Sequence, residues 1–193
     1  MRLTKKRLEQ REQAKRRGEE IARQQNMDVL TPEELVALLK SEAPYVHGTA
    51  SERLVARGAA SVAALMTGLA HPSRKMRATC ALLLDHVADD RCVVPLLQAM
   101  RHDPHEAVRR CAMHSLVCDG CKECPLKTDV VGALIESALT DRSKQVRRRA
   151  VFYLSQQRPD ARAATALQML LTRETDPTLL KRGRQALEHH SLR

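Results

Sequence analysis

The sequence predicts an all-α, right-handed α-solenoid, a superhelix of four to five stacked helix pairs, and three observations carry that prediction. First, an apolar residue, a small residue four on and a Leu four further on recur five times, as Val46/Ala50/Leu54, Met76/Cys80/Leu84, Val108/Ala112/Leu116, Val146/Ala150/Leu154 and the looser Leu179/Gly183/Leu187. Their first members lie 30, 32, 38 and 33 residues apart. Self-similarity at such a period marks a repeat that cannot bury its apolar face alone and must stack on its neighbours. Second, the 193 residues are 43% apolar yet hold no Trp, one Phe (Phe152) and two Tyr (Tyr45, Tyr153). A core of Ala and Leu suits close-packed helices, whereas a β fold would show more aromatic and β-branched runs. Third, turn-forming segments separate the repeats at His71-Pro72-Ser73, His102-Asp103-Pro104-His105, Asp141-Arg142-Ser143 and Thr175-Asp176-Pro177-Thr178, where Pro and Asp stop one helix and start the next.

Taken in order, residues 1–27 read as a basic, charged extension, helical or disordered, with few apolar side chains and no sustained period. Residues 1–25 hold nine Lys and Arg against four Glu, half of the chain's net charge of +10. Residues 28–43 read as a capping helix. Thr31-Pro32-Glu33-Glu34 supplies an N-cap, a Pro at the first helical position and acids in the first turn, and Leu35, Leu38 and Leu39 form its apolar stripe. Residues 44–193 read as the repeat domain. In it, a triplet helix is followed by a second helix carrying Leu65, Leu97, Leu134 or Leu167. No run approaches the ~20 apolar residues of a membrane span, and none follows the opening Met-Arg-Leu-Thr-Lys-Lys-Arg. A cytoplasmic, monomeric protein with reduced cysteines is the expectation.

The residues Asp103-Pro104…Val108-Arg109…Ala112…Leu116 and Asp141…Val146-Arg147…Ala150…Leu154 resemble the HEAT repeat in its short bacterial, phycobilisome-lyase-type form, and Met76-Arg77…Cys80…Leu84 fits the same pattern. The resemblance spans about residues 44–190. The first triplet has His47 in place of the Arg, and the last has Leu180 there and Gly183 in place of Ala. What the resemblance implies is a binding scaffold more often than an enzyme. Arg77, Arg109 and Arg147 recur beside the apolar member of each triplet, and each is expected to pair with an acid or a loop carbonyl of a neighbouring repeat.

One place breaks the period. From the triplet Leu to the second-helix Leu the spacing is 13 residues in two repeats but 18 from Leu116 to Leu134. The five added residues bring Cys118-Asp119-Gly120-Cys121-Lys122-Glu123-Cys124-Pro125, a C-x2-C-x2-C loop. Thiolates so spaced on a Gly-containing turn can converge on one metal, and Zn²⁺ takes four ligands at tetrahedral corners. Cys118, Cys121 and Cys124 are therefore candidate zinc ligands, with His114 or Cys111, near the same helix face, to complete the set. An iron–sulfur cluster is disfavoured because no Cys follows Cys124. Free or redox-active thiols are the competing reading of the loop, and His114, which aligns with Leu82 and Phe152, equally fits a half-buried core histidine. Cys80 replaces the small core residue of its triplet and reads as structural.

Beyond the ladder positions lies a surplus of cations, Arg110, Arg142, Lys144, Arg148, Arg149, Lys181, Arg182 and Arg184, expected to form a basic surface for phosphates or an acidic protein. Aromatic residues for base stacking are not interleaved with them. Three kinds of catalytic relative carry motifs that this chain can be compared with. A deoxyhypusine-hydroxylase-like enzyme needs His-Glu pairs after Val-Arg, where this chain has Arg110-Cys111, Arg148-Arg149 and Ala78-Thr79. An alkylpurine-glycosylase-like one needs Trp, which is missing; a bilin lyase shares the repeat itself, so no motif excludes that role and none specifically supports it. The expected function is a non-catalytic scaffold or adaptor holding another protein against the concave face of the second helices. The alternatives are a nucleic-acid binder using the Arg-rich surface and a thiol or metal sensor at the cysteine loop.

Overall fold

The computed structural model describes residues 12–13, 16, 20, 26–87, 89–118, 120–121 and 126–191. The N-terminal extension therefore lies largely outside the described residues, and Cys124 lies outside them entirely. Ten α-helices follow from residue 32 onward among those described: α1 Pro32–Leu38, α2 Pro44–Ala56, α3 Val62–Gly68, α4 Arg74–Val87, α5 Val93–His102, α6 Glu106–Val117, α7 Val130–Thr140, α8 Lys144–Leu154, α9 Ala161–Arg173 and α10 Pro177–Ser191. Short 3-10 turns, Gly58–Ser61 and Asp90–Cys92, lead into α3 and α5. No strand occurs among the described residues, so the fold is an all-α solenoid.

The triplets form the spine of the core. Val46, Ala50 and Leu54, Met76, Cys80 and Leu84, Val108, Ala112 and Leu116, and Val146, Ala150 and Leu154 are all buried, as are Leu179 and Gly183. Only the last, Leu187, is half-buried, its place in the core being taken by Ala186. Of the expected second-helix leucines, Leu65, Leu134 and Leu167 are buried, but in α5 it is Leu96 rather than Leu97 that reaches the core. At the N-terminal end Thr31 and Glu34 make a reciprocal capping box, and Leu35 and Leu39 anchor α1 beneath α2 and α3.

The pairing is shifted by one helix from the order expected from sequence. Helices pack as the antiparallel pairs α1/α2, α3/α4, α5/α6, α7/α8 and α9/α10, so the triplet lies in the second helix of each of five pairs. Linker length explains the shift in the last three pairs. Three residues join α5 to α6, α7 to α8 and α9 to α10, which leaves no course but a hairpin. The connections that leave each triplet helix are longer, and they step from one pair to the next. The cysteine loop is one of these, joining α6 to α7 between two pairs.

Arg77, Arg109 and Arg147 tie the pairs into a ladder. The Arg77 guanidinium in α4 donates to both carboxylate oxygens of Asp103, at 2.6 and 3.1 Å, in the turn of the next pair. Arg109 in α6 does the same to Asp141, at 2.7 and 2.8 Å, and Arg147 in α8 holds Glu174 at 2.8 and 3.0 Å. Each Arg also donates to a carbonyl of its own turn: His71 at 2.9 Å, Asp103 at 2.8 Å and Asp141 at 3.1 Å. The acids in turn accept from the amides of His105 (2.8 Å), Ser143 (2.7 Å) and Asp176 (3.0 Å). The turns at 103–105 and 141–143 are thus each held by two ladder arginines, one from their own pair and one from the pair before. Such bidentate, charge-assisted contacts fix the register of stacking as well as adding to stability.

Close approach of helices depends on small residues at two crossings. A Cβ at Gly68, at the end of α3, would overlap Cys80 Sγ in α4. One at Gly183 would lie 3.2 Å from Leu171 and 3.3 Å from Leu170 of α9.

Candidate metal centre and basic groove

The inserted loop returns to the C-terminal ends of the triplet helices, and there it meets a buried acid. Asp85 in the last turn of α4, His114 in the last turn of α6, Cys118 at the end of α6 and Cys121 in the loop each present one donor atom. All four atoms lie within 4.8 Å of one another. His114 Nε2 is 3.1 Å from Asp85 Oδ2, and the two Sγ atoms are 3.3 Å apart. Asp85 is 1% exposed, whereas the other three are half-buried. Hydrogen bonding with Cys118 and with Asp85 pushes the Cys121 thiol up to about 12, because a thiolate there would face the charge of both.

A fifth residue orients the imidazole from behind. Tyr153 in α8 shares a 2.7 Å hydrogen bond between its hydroxyl and His114 Nδ1, with the two rings tilted at 6.2 Å between centroids. One nitrogen of the half-buried His114 faces the acid and the other is held by a phenol of the next pair. The donor group differs from the expected ligand set. Cys111, which burial keeps above the usual thiol range, stands outside it, and Asp85 stands inside it. Asp85 had a signal in sequence that spacing among cysteines does not display. It directly follows the buried Leu83 and Leu84, on the face of a helix where an acid needs a partner.

The basic surface divides in two. Arg110 from α6, Arg148 and Arg149 from α8 and Arg182 from α10 converge around Phe152, lining a groove of about 290 Å³ with Gln145 and Thr178. Arg149 lies over the Phe152 ring at 5.8 Å and over Tyr153 at 5.7 Å. Arg148 reaches Asp176 at 2.5 and 3.2 Å. Arg110 Nε is buried without a hydrogen-bond partner. Phe152 is 38% exposed, a large apolar side chain on the open face of the triplet layer. Arg142 turns the other way and donates to the Pro104 carbonyl at 2.7 Å, beside a second cavity lined by Arg101, Arg109 and Glu136. Lys144, Lys181 and Arg184 are exposed on α8 and α10 without lining the groove.

This architecture, five stacked helix pairs of which the last four are tied by an arginine ladder, is that of an α-solenoid. Among solved structures it is similar to a chain in the complex of CpcE and CpcF of phycocyanin lyase from Nostoc sp. PCC7120, with a TM-score of 0.64 and 22% identity over 80% of this chain and 96% of that one. An engineered protein matches at a TM-score of 0.50 and 21% identity, over 82% of this chain and 78% of that one. A designed armadillo repeat protein matches at 0.46 and 16%, over 82% of each chain. No protein-family model matches the chain, and no curated protein matches it in sequence. Among the described residues no helix is long and apolar enough to cross a membrane.

Proposed function

We propose that this protein is a non-catalytic, monomeric, cytoplasmic adaptor that seats an acidic segment of another protein in the groove between Arg110, Arg148, Arg149 and Arg182. The observation that carries this reading is the Arg110 guanidinium, one of whose nitrogens is buried on the groove wall with no hydrogen-bond acceptor. A buried donor left unmade costs roughly 1–3 kcal/mol, which a carboxylate in the groove would recover once the Arg110 side chain turns its Nε toward it. Phe152 offers an apolar contact beside the cations, so an acidic segment carrying an aliphatic or aromatic residue fits better than a bare phosphate chain. The groove lies on the triplet helices, so the partner surface moves there from the helices first expected to carry it. The likeness to a chain found in a two-protein complex supports a protein partner. In this reading a cation at the cysteine loop has a structural role, not a catalytic one.

The test is fluorescence anisotropy with a labelled Glu/Asp-rich peptide containing one Leu or Phe, at rising salt. Binding should weaken with salt and fall at least tenfold in Arg110→Ala and in Arg149→Ala, with Lys181→Ala as the control that leaves it intact. A chain that ignores the peptide at low salt, yet binds duplex DNA with a steep salt slope, would overturn the adaptor reading in favour of nucleic acid.

A further inference from the structure

We infer that Asp85, His114, Cys118 and Cys121 bind one Zn²⁺ ion, which staples the inserted loop to two successive helix pairs. The inference goes beyond the adaptor reading, since it concerns a site away from the groove cations. It extends the loop cysteines with a ligand, Asp85, from the preceding pair.

Geometry is the first support. Zinc–ligand bonds of about 2.0–2.3 Å imply tetrahedral edges of about 3.3–3.8 Å. The Asp85–His114 and Cys118–Cys121 separations are 3.1 and 3.3 Å, and no pair in the group exceeds 4.8 Å. Small shifts of side chains suffice to make room for an ion. Donor chemistry is the second support. Two sulfurs, one imidazole nitrogen and one carboxylate oxygen suit a borderline-soft cation. Calcium and magnesium ask for oxygen throughout, and an iron–sulfur cluster asks for four thiolates. The third is orientation from behind. With Nε2 on the metal, His114 Nδ1–H donates to the Tyr153 hydroxyl, the kind of outer hydrogen bond that fixes a ligating imidazole.

The loop also needs such a staple. Between the end of α6 and the start of α7, Leu126 is the one apolar side chain buried among the described residues. A crosslink through metal replaces the core that a segment this short cannot build. Because Asp85 comes from the pair before the loop, the ion would bind α4, α6 and the loop together. Tyr153 would extend the contact to α8.

The experiment is metal analysis of the full chain, purified under reducing conditions, by native mass spectrometry, followed by exchange with Co²⁺. The expected result is one zinc per chain. The cobalt form should show thiolate-to-cobalt charge-transfer absorption together with the visible bands of tetrahedral cobalt. Asp85→Asn and Cys118→Ser should each lower zinc affinity more than tenfold, Tyr153→Phe should lower it about 10–100-fold, and Cys111→Ser should leave it unchanged. The wild-type cobalt spectrum keeps the test decisive should a variant fail to fold. Absence of the charge-transfer band, or recovery of a metal-free chain with Cys118 and Cys121 joined in a disulfide even under reductant, would overturn the inference. So would a chain that keeps its zinc in Asp85→Asn but loses it in Cys124→Ser. Peptide binding measured in chelator stays informative whichever way the metal result falls.

Discussion

Removing Arg109 tests whether the ladder holds the stack together. Its side chain is 3% exposed and that of its partner Asp141 is 7% exposed. Arg109→Ala would delete two bonds to Asp141 and one to the Asp103 carbonyl, and would leave a carboxylate buried without its cation. Breaking one side of a buried ion pair costs about 3–5 kcal/mol. For a chain of this size each kcal/mol lowers the midpoint by about 2–4 °C, so thermal unfolding should fall by roughly 6–20 °C. Circular dichroism at 222 nm measures it. Arg162 is the control, since it makes bidentate contacts with Asp129 and Asp160 in geometry just as favourable, but at 57% exposure. Arg162→Ala should barely move the midpoint, because solvent screens an exposed pair. The double variant Arg109→Ala/Asp141→Ala should be more stable than Arg109→Ala alone, as the orphaned charge has gone. If Arg109→Ala costs no more than Arg162→Ala, or if the double variant recovers nothing, burial is not what makes the ladder matter.

Two further outcomes follow from the same packing. Burial alone would raise the Asp103 carboxyl, but hydrogen bonds from Arg77 and the His105 amide outweigh it and hold the group below the usual carboxylate range. Its stabilisation is complete above the unfolded value of about 3.9 and is lost as pH falls through the lower folded one, so Arg77→Ala should shift acid unfolding to higher pH in a pH titration followed by circular dichroism. Gly68→Ala places a methyl where Cys80 Sγ already sits and should destabilise by about 1–3 kcal/mol in urea unfolding, with Cys80→Ala recovering part of the loss by opening space.

The repeat was legible in sequence because stacking demands the same apolar, small and Leu positions in each unit. Val108, Ala112 and Leu116 are buried for the same reason as Val146, Ala150 and Leu154. The arginine ladder was legible too, since a charge repeated beside a buried position needs an acid repeated elsewhere. Which helices pair was not, for the triplet recurs with the same period whichever neighbour it is grouped with. Linker length decides that, and Leu97 was misassigned with it, one residue from the buried Leu96. The donor group was half legible. Cysteine spacing marks the loop, but Asp85 lies 29 residues before His114, and only the stacking of α4 on α6 brings them together.

The ladder also separates structural arginines from those free to act. Arg77, Arg109 and Arg147 each spend their charge on an acid of the next turn. One and two residues further along the same helices, Arg110 and Arg149 stand where the α4 counterparts are Ala78 and Thr79, while Arg148 is itself paired with Asp176. A repeat that needed only to stack would have no use for cations at those positions. They occur on α6 and α8, beside the pair of helices that the loop and Tyr153 join, and Arg149 rests on the same Tyr153 ring whose hydroxyl holds His114. Tyr153 therefore lies between the two, in contact with His114 of the donor group and with Arg149 of the groove. An ion that fixes His114 would fix Tyr153, and with it the platform on which Arg149 is displayed.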